Sequence, residues 1–219
     1  KQHKNILDIG TGSGLPGIPL AIFNENKNVY LSEKNNKKNY HLKKTIKFNR
    51  KHNLISRKNT EKIIDEAIEE ATALTKHLKQ HKNILDIGTG SGLPGIPLAI
   101  FNENINVYLS EKNNKKNYHL KKTIKLLEIE NATTIGSANK NTKINKKVDC
   151  VVTKAFASTK KTIDIANSFL EKPFTLMLLK GKLKTINKEI AEANISKENY
   201  EIIKIENEKE KHILKIQNE

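Results

Sequence analysis

A glycine-rich segment, DIGTGSGLPGIPLAIF, occurs twice in this chain, at residues 8–23 and again at 86–101. It belongs to a longer repeat, because residues 1–47 and 79–125 are identical at 46 of 47 positions. Repeats that stack into solenoids share core positions and diverge on the surface. Here the surface positions are identical as well, which indicates a very recent, accidental duplication. A protein with two working sites is the alternative.

Only the second copy is followed by sequence that can complete a sheet. After residue 125 the chain continues with LLEIENATTIG and VDCVVTKAFAS, which contain strand-like apolar runs. The first copy is followed by a polar segment in which Ile64, Ile68 and Ala71 recur at helical spacing. We therefore predict three regions, which are a duplicated partial copy at 1–47, an N-terminal helical segment at 48–78 and the working domain at 79–219.

The working domain is predicted to have an α/β fold, because short aliphatic runs alternate with helical stretches. This alternation favours a parallel sheet with right-handed crossovers. The runs are 84–87, 107–109, 133–135, 150–153 and 174–179. Two further runs, 200–205 and 212–216, are joined by a loop too short for a crossover and should pair antiparallel. Together the runs predict a Rossmann-like, seven-stranded methyltransferase sheet that ends in an antiparallel C-terminal hairpin.

A loop of alternating glycines follows the first strand of the second copy. Gly88, Gly90 and Gly92 precede a predicted helix over 93–101, in which Pro94 occupies the first turn. Glycines allow a ligand to approach the backbone closely, and a helix N-terminus offers N–H groups that lack partners. We expect this loop to bind a nucleotide cofactor, and a tight turn that binds nothing is the alternative.

Two cofactors are compatible with this loop. Residues 90–95 match the dinucleotide spacing G-x-G-x-x-G, and Glu111 lies about 20 residues later, as NAD binding requires. The pattern begins earlier, however, with Asp86 two residues before Gly88. A carboxylate at Asp86 suits the cationic end of S-adenosylmethionine (SAM) and would repel a pyrophosphate. Glu111 can accept hydrogen bonds from ribose hydroxyls in either cofactor, so we favour SAM over NAD.

Five segments in the same order resemble the bacterial 16S rRNA guanine-N7 methyltransferase family, also called glucose-inhibited division protein B. They are NILDIGTGSGLPGIPLAI, VYLSEKNNKK, VVTKAFAS, LLKGK and EKHILKI. The likeness runs from about residue 48 to 216, and GLPGIPLAI is far more specific than a generic glycine pattern. The resemblance implies a SAM-dependent methyltransferase that methylates guanine N7 in 16S rRNA of the small ribosomal subunit.

The motif and the resemblance together imply a set of cofactor-binding residues. These are Asp86, Gly88, Gly90, Gly92, Leu93, Glu111, Ala138, Asn139 and Lys154. Lys154 stands where the family has Arg, and Lys180 matches the family's K-G pair beside the active site. Both lysines are implied contacts for the substrate, through the phosphate backbone or the guanine edge, or for the cofactor carboxylate. Solvated surface lysines are the alternative for each.

The implied chemistry needs no catalytic side chain. Guanine N7 has an available lone pair and carries no proton, so alignment of N7 with the methyl group and sulfur supplies most of the rate. The sequence departs from the family pattern at 67–71, where Glu70 is part of a stretch that replaces H-x-x-D-S. Lys154 keeps a positive charge but lacks the planar fork of Arg.

The charge distribution predicts a polyanionic partner. The net charge is +16, of which residues 1–47 contribute +6 (nine Lys and three acids) and the remainder +10. Such an excess favours binding to polyanions, with nucleic acid as the first candidate. The resemblance implies that this partner is 16S rRNA or the small-subunit particle. The alternative is that an A+T-rich genome enriches lysine codons without any functional reason.

The remaining expectations concern location, assembly and metals. The single Cys150 suits a reducing compartment, and no apolar run is long enough to span a bilayer, so we expect a cytoplasmic protein, and we expect it to be a monomer. His77 and His81 are four residues apart, but no Cys or carboxylate set completes a metal site around them. We expect both to be surface histidines and predict no metal. His212 and Cys150 are expected to be packing residues.

Two other functions remain open at this point. The chain is alternatively a SAM-dependent enzyme with another substrate, because a fold does not determine its acceptor. It is alternatively an RNA-binding remnant that the duplication has inactivated.

The duplication leads to a prediction about SAM stoichiometry. We expect about one high-affinity site per chain, built by the second copy, because the first copy lacks the strands that close an adenine pocket. Calorimetric titration measures this number directly. Replacing Gly88 with valine should abolish binding, whereas the same replacement at the matched Gly10 should change affinity little. Two equivalent sites would contradict the interpretation.

Overall fold

The computed structural model describes the second copy, residues 60–78 before it and most of the chain after it, together with two short parts of the first copy. The described residues are 5–9, 28–32, 60–139, 141–206 and 210–219. The chain divides into two compact units, of which the first comprises Lys1–Glu66 and Lys125–Glu128 and the second Ala67–Ile124 and Ile129–Glu219. The three regions inferred from the sequence stay a prediction. Gly10, which enters the stoichiometry prediction, lies outside the described residues.

The first unit contains two strands from the first copy. Strand β1 (Asn5–Ile9) pairs in parallel with β2 (Asn28–Ser32), so that Asn5 lies opposite Asn28. In the second copy, β3 (Asn83–Ile87) and β4 (Asn106–Ser110) pair in the corresponding register. The same sequence therefore forms the same strand pair twice.

The second unit is built on one seven-stranded sheet. Besides β3 and β4 it contains β5 (Ala132–Gly136), β6 (Cys150–Lys154), β7 (Phe174–Lys180), β8 (Tyr200–Lys204) and β9 (His212–Asn218). The strand order is β5-β4-β3-β6-β7-β9-β8. Strands β3 to β7 are parallel, and β9 pairs antiparallel with β7 and β8. This arrangement confirms the predicted fold class, including the C-terminal hairpin.

Five α-helices accompany these strands among the described residues. They are α1 (Thr60–Thr75), α2 (Gly95–Phe101), α3 (Asn114–Leu127), α4 (Thr159–Asn167) and α5 (Leu183–Glu192). A short 3₁₀ helix covers Lys197–Asn199. None of the helices that the structure describes is long and apolar enough to cross a membrane.

Helix α2 begins two residues later than the sequence predicts. The amides of Gly92 and Leu93 both donate to the carbonyl of Thr89, at 2.9 and 3.1 Å, so this stretch forms a turn. Pro94 then takes the N-cap position, and the helix begins at Gly95. The extra turn extends the glycine loop before the helix starts.

The core of the second unit lies on the central strands. Strand β7 is buried at its first six positions, and its Leu176 and Leu178 pack with Val151 of β6 and Leu214 of β9. Continuous aliphatic runs are expected for strands that are covered on both faces. Cys150 is fully buried, as predicted, and burial raises the pKa of its thiol. Because β3 to β7 run in parallel, their carboxyl ends meet at one edge of the sheet.

The expectation that His81 lies on the surface is wrong. Its side chain is 6% exposed, and its Nδ1 lies 3.4 Å from Oδ1 of Asp149. Burial lowers the pKa of His81, and the opposing effect of Asp149 does not reverse this shift. The Asp149 carboxylate also accepts hydrogen bonds from the amides of Lys82 and Asn83. His81 therefore belongs to a contact that joins the amino ends of β3 and β6.

The origin of the seven strands predicts that the methyltransferase-like sheet folds without residues 1–47. All seven of its strands come from residues after α1, and none comes from the first copy. Deleting residues 1–47 should leave the cooperative thermal unfolding of the second unit and its SAM affinity unchanged. Circular dichroism melting and calorimetry of the full and shortened chains provide the comparison. Loss of the folded state on deletion would show that the first copy is structurally required.

Candidate functional site

The glycine loop lies at the carboxyl edge of the sheet, between β3 and α2. Gly88, Gly90 and Gly92 have φ values of +70°, +61° and +96°, a region that residues with side chains rarely adopt. The amides of Gly88 and Thr89 donate to the carbonyl of Ser110 at 2.9 and 3.0 Å. These bonds fix the loop to the end of β4, so its conformation is set before any ligand binds.

Asp86 lies beneath this loop and is completely buried. Its Oδ2 accepts hydrogen bonds from the Thr89 hydroxyl at 2.6 Å and from the Gly95 amide at 2.8 Å. Its Oδ1 has no hydrogen-bond partner in the part of the chain that the structure describes. Burial raises the pKa of Asp86 to about 7, although both hydrogen bonds act in the opposite direction. Asp86 thus holds the loop to the first turn of α2.

Gly95 shows how closely this region is packed. A Cβ at this position would overlap a methyl group of Leu109 and would lie 2.6 Å from Oδ2 of Asp86. No side chain fits there without displacing the carboxylate from its two donors. The role of Gly95 in the motif is therefore close packing of the helix start onto β3 and β4.

The other predicted cofactor residues follow the ends of β4 and β5. Glu111 is 7% exposed, and its Oε1 accepts a hydrogen bond from the Asn113 amide at 2.8 Å. The amide of Ala138 donates to the Ser110 hydroxyl at 2.9 Å. Asn139 is exposed, and its side chain bonds to the backbone of its own loop. The loops that follow β3, β4 and β5 therefore lie beside one another.

A cavity of about 350 Å³ opens beside the carboxyl ends of β6 and β7. Its lining includes both predicted lysines, a third lysine and two glutamates. These charged residues are Lys154, Lys180, Lys211, Glu70 and Glu189. Both predicted substrate lysines are thus brought to one site, together with residues that sequence reasoning did not assign to it.

Lys154 is held by a buried carboxylate from α1. Its Nζ lies 2.5 Å from Oε2 of Glu70, and Nζ of Lys211 lies 3.0 Å from Oε1 of the same carboxylate. The Glu70 side chain is only 3% exposed, whereas those of the two lysines are about one quarter exposed, at 27% and 23%. The sequence identified Glu70 only as a departure from the family pattern. Lys211 lies in the segment EKHILKI, but nothing in that segment marks it as a site residue.

Lys180 is held by a second ion pair across the cavity. Its Nζ lies 2.6 Å from Oε2 of Glu189 and 3.3 Å from the carbonyl of Ala157. The same Glu189 oxygen accepts from the hydroxyl and the amide of Thr159. Burial acts to raise the pKa of Glu189, but the bonds from Lys180 and Thr159 and the lysine charge hold it below its usual value. With a side chain 12% exposed, Lys180 is not a solvated surface lysine.

Phe156 connects the glycine loop to this cavity. Its ring lines the cavity, and its Cε2 and Cγ lie 3.0 and 3.1 Å from the position that a Cβ on Gly88 would take. The predicted cofactor loop and the predicted substrate lysines therefore adjoin one another. Phe156 lies in the segment VVTKAFAS, but no pattern in the sequence indicates a role for it.

His212 lies close to the same end of β7. Its side chain is 5% exposed, and its Nδ1 is 2.8 Å from the carbonyl oxygen of Gly181, the residue after Lys180. The burial confirms the packing role expected for His212. The contact also fixes the backbone that follows Lys180.

Two further findings concern metal binding and a second cavity. Among the described residues, no group of three or more His, Cys, Asp or Glu side chains is arranged to hold a metal ion. A second cavity of about 460 Å³ is lined by Lys143, Lys146 and Lys147, which shortly precede β6. It adjoins the amino end of β6 and therefore lies at the sheet edge opposite the glycine loop.

Comparison with known proteins identifies the relatives of this chain. The family model described as rRNA small subunit methyltransferase G matches residues 1–47 and 40–214. The chain is 34% identical over 172 residues to ribosomal RNA small subunit methyltransferase G of Brachyspira hyodysenteriae, covering 77% of this chain and 83% of that protein. The protein of the same name from Vibrio atlanticus is 32% identical over 62% of this chain and 65% of its own length.

The chain belongs to this family. Membership confirms the resemblance inferred from the sequence and, with it, the expected SAM-dependent methyltransferase of small-subunit rRNA. A SAM-dependent methyltransferase from Aquifex aeolicus superposes with a TM-score of 0.53 at 14% identity, covering 69% of this chain and 90% of that one. TYW2 from M. jannaschii, whose structure is a complex with AdoMet, has a TM-score of 0.50 at 21% identity and covers 69% and 74%. At these identities the structural likeness shows the fold.

The residues of the glycine loop fit SAM. A buried carboxylate oxygen for which the described residues supply no donor, Oδ1 of Asp86, is stabilised by a positive charge placed near it. Three glycines leave the loop with few side chains, and Glu111 supplies a carboxylate at the end of the next strand. A cationic cofactor that carries a ribose matches this set better than a pyrophosphate does.

The raised pKa of Asp86 predicts a pH dependence of stability. Between about pH 4 and pH 7 the folded protein binds a proton at Asp86 that the unfolded chain does not, so this group's contribution falls as pH rises. Relative to Asp86→Asn, the unfolding free energy of the unliganded protein should fall by roughly 2–3 kcal/mol from pH 5 to pH 8. Urea titrations measure this difference, with the exposed Asp164→Asn as the matched control. Parallel pH profiles for all three proteins would show that the Asp86 pKa is ordinary.

Proposed function

We propose that this chain transfers a methyl group from SAM to N7 of a guanine in 16S rRNA. The observation that carries the proposal is the direct adjacency of the glycine loop and the lysine-lined cavity, with Phe156 contacting both. Family membership supports small-subunit rRNA as the substrate. In this proposal, 79–219 is the methyltransferase domain, 48–78 its N-terminal helical segment and 1–47 a duplicated partial copy.

The glycine loop and the strand ends beside it are proposed to hold SAM, which supplies a methyl group on a positively charged sulfur. Gly88, Gly90, Gly92 and Leu93 offer backbone close to the cofactor. Ala138 and Asn139 flank it from the loop after β5, and Glu111 binds the ribose hydroxyls. Asp86 acts through the loop conformation and its negative charge, because it is fully buried and holds Thr89 and Gly95.

The cavity is proposed to hold the guanine and the adjoining backbone. N7 needs no base to remove a proton, so the side chains here orient the substrate and the reaction depends on alignment. Lys154 is suited to contact the RNA because about a quarter of its side chain is exposed while Glu70 fixes its position. Lys180, held by Glu189 and the Ala157 carbonyl, is proposed to shape the cavity wall and to present positive charge.

The partner and setting are proposed from charge and family. A net charge of +16 favours binding to an RNA polyanion, either 16S rRNA or the small-subunit particle. We further propose a cytoplasmic monomer that uses no metal. The mechanism requires none, because neither proton removal nor polarisation of a carbonyl is involved.

The test is methyl transfer from labelled SAM to small-subunit particles that lack N7 methylation. We expect label in 16S rRNA and chain cleavage at one guanine after borohydride reduction and aniline treatment, which detect N7-methylguanosine. Gly88→Val should lose transfer, because its side chain would meet the Phe156 ring. Gly136→Val is the matched control, since Gly136 has the same φ of +70° but no atom within 4 Å of an added Cβ.

The other outcomes distinguish the remaining alternatives. Transfer to a different RNA or a different atom would favour a SAM-dependent enzyme with another acceptor. Retained RNA binding without any transfer, in protein that binds SAM, would favour an inactive remnant.

A further inference from the structure

Phe156 lies between the glycine loop and the lysine-lined cavity, and neither of the roles proposed for these two features requires an aromatic side chain at this position. It follows β6, which lies next to β3 in the sheet, so it faces the loop that follows β3. Its ring is half-buried and forms part of the cavity wall. The ring also occupies the space into which a Cβ on Gly88 would project. A flat apolar surface is therefore present where the cofactor loop meets the substrate cavity.

The backbone that presents this ring is strained. Ala155 has a φ of +50°, in the left-handed region that residues with a Cβ rarely adopt. Such outliers are costly, and they concentrate at functional sites. Ala155 is exposed and lines the cavity itself. Lys154 and Phe156, on either side of Ala155, line the same cavity.

Aromatic side chains are scarce in this protein. The whole chain has six Phe, five Tyr and no Trp. Among the described residues that line the 350 Å³ cavity, Phe156 is the single aromatic one, and charged groups surround it. Enzymes that act on a base extract it from the stack and hold it between apolar or aromatic faces. A guanine in this cavity has one such face available to it.

We propose that the ring of Phe156 stacks on the target guanine and so positions N7 beside the cofactor loop. This inference rests on the proposed function and names the residue that binds the base. Lys154, held in place by Glu70 of α1, then lies where it can contact the edge or the phosphate of the same nucleotide. Stacking on aromatic residues contributes through the face of the base, which leaves the N7 edge accessible.

The kinetic test compares three proteins on small-subunit rRNA. Phe156→Leu keeps an apolar side chain but removes the ring, and kcat/KM for RNA should fall about tenfold or more, as loss of a stacked base implies. Phe156→Tyr keeps the ring and should retain most activity. SAM affinity and the melting temperature should stay near wild-type values in both. Wild-type kinetics for Phe156→Leu would overturn the proposal.

A fluorescence test is independent of methyl transfer. Because the chain has no Trp, Phe156→Trp introduces a single reporter at this position. In the presence of saturating SAM, guanosine monophosphate should quench it more strongly than uridine monophosphate does. The matched control is Phe169→Trp, which places the reporter in the cavity at the opposite sheet edge.

The outcomes separate this inference from the proposed function. Selective quenching by the guanine nucleotide in Phe156→Trp, absent in Phe169→Trp, supports stacking even if transfer to 16S rRNA is not observed. Equal quenching in both variants overturns it, because a stacked base would quench only the reporter at position 156. A wild type that lacks transfer contradicts the proposed function and leaves the fluorescence result decisive for Phe156.

Discussion

The carboxylate of Asp86 joins the three parts on which the site depends. It lies in β3, accepts a hydrogen bond from the Thr89 hydroxyl in the loop and another from the Gly95 amide at the start of α2. Removing this carboxylate would leave two buried donors without partners, which costs free energy at each. The loop also depends on Ser110, whose carbonyl receives two amides from it. The geometry of the glycine loop is therefore set by buried contacts below it.

Most of the fold is predictable from the sequence because its signals are local. The continuous aliphatic run at 174–179 predicts the strand Phe174–Lys180 to within one residue, since a buried run of this length between turn residues is too short for a helix. The antiparallel hairpin is indicated by a loop too short for a crossover. The start of α2 is missed by two residues, because the bonds from Gly92 and Leu93 to Thr89 extend the turn and no propensity encodes them.

Residues of the candidate site can be predicted where they lie within a short sequence motif. They cannot be predicted where their position depends on contacts between side chains that are far apart in the sequence. Short segments are enough to identify the glycine loop and Lys154. Glu70 and Lys154 are separated by 84 residues, and nothing in either segment shows that the two side chains meet. The burial of His81 is missed for the same reason, since its partner Asp149 is distant in sequence. Pairs of this kind are created by the fold.

The matching registers of β1–β2 and β3–β4 have a consequence for how such a gene can change. Asn5 faces Asn28 as Asn83 faces Asn106, although among the described strands only the second pair has sheet neighbours on both sides. The information that specifies this pairing is thus contained within the repeated stretch. A recombination event that copies the stretch inserts a self-sufficient cassette and leaves the host sheet with its original strands.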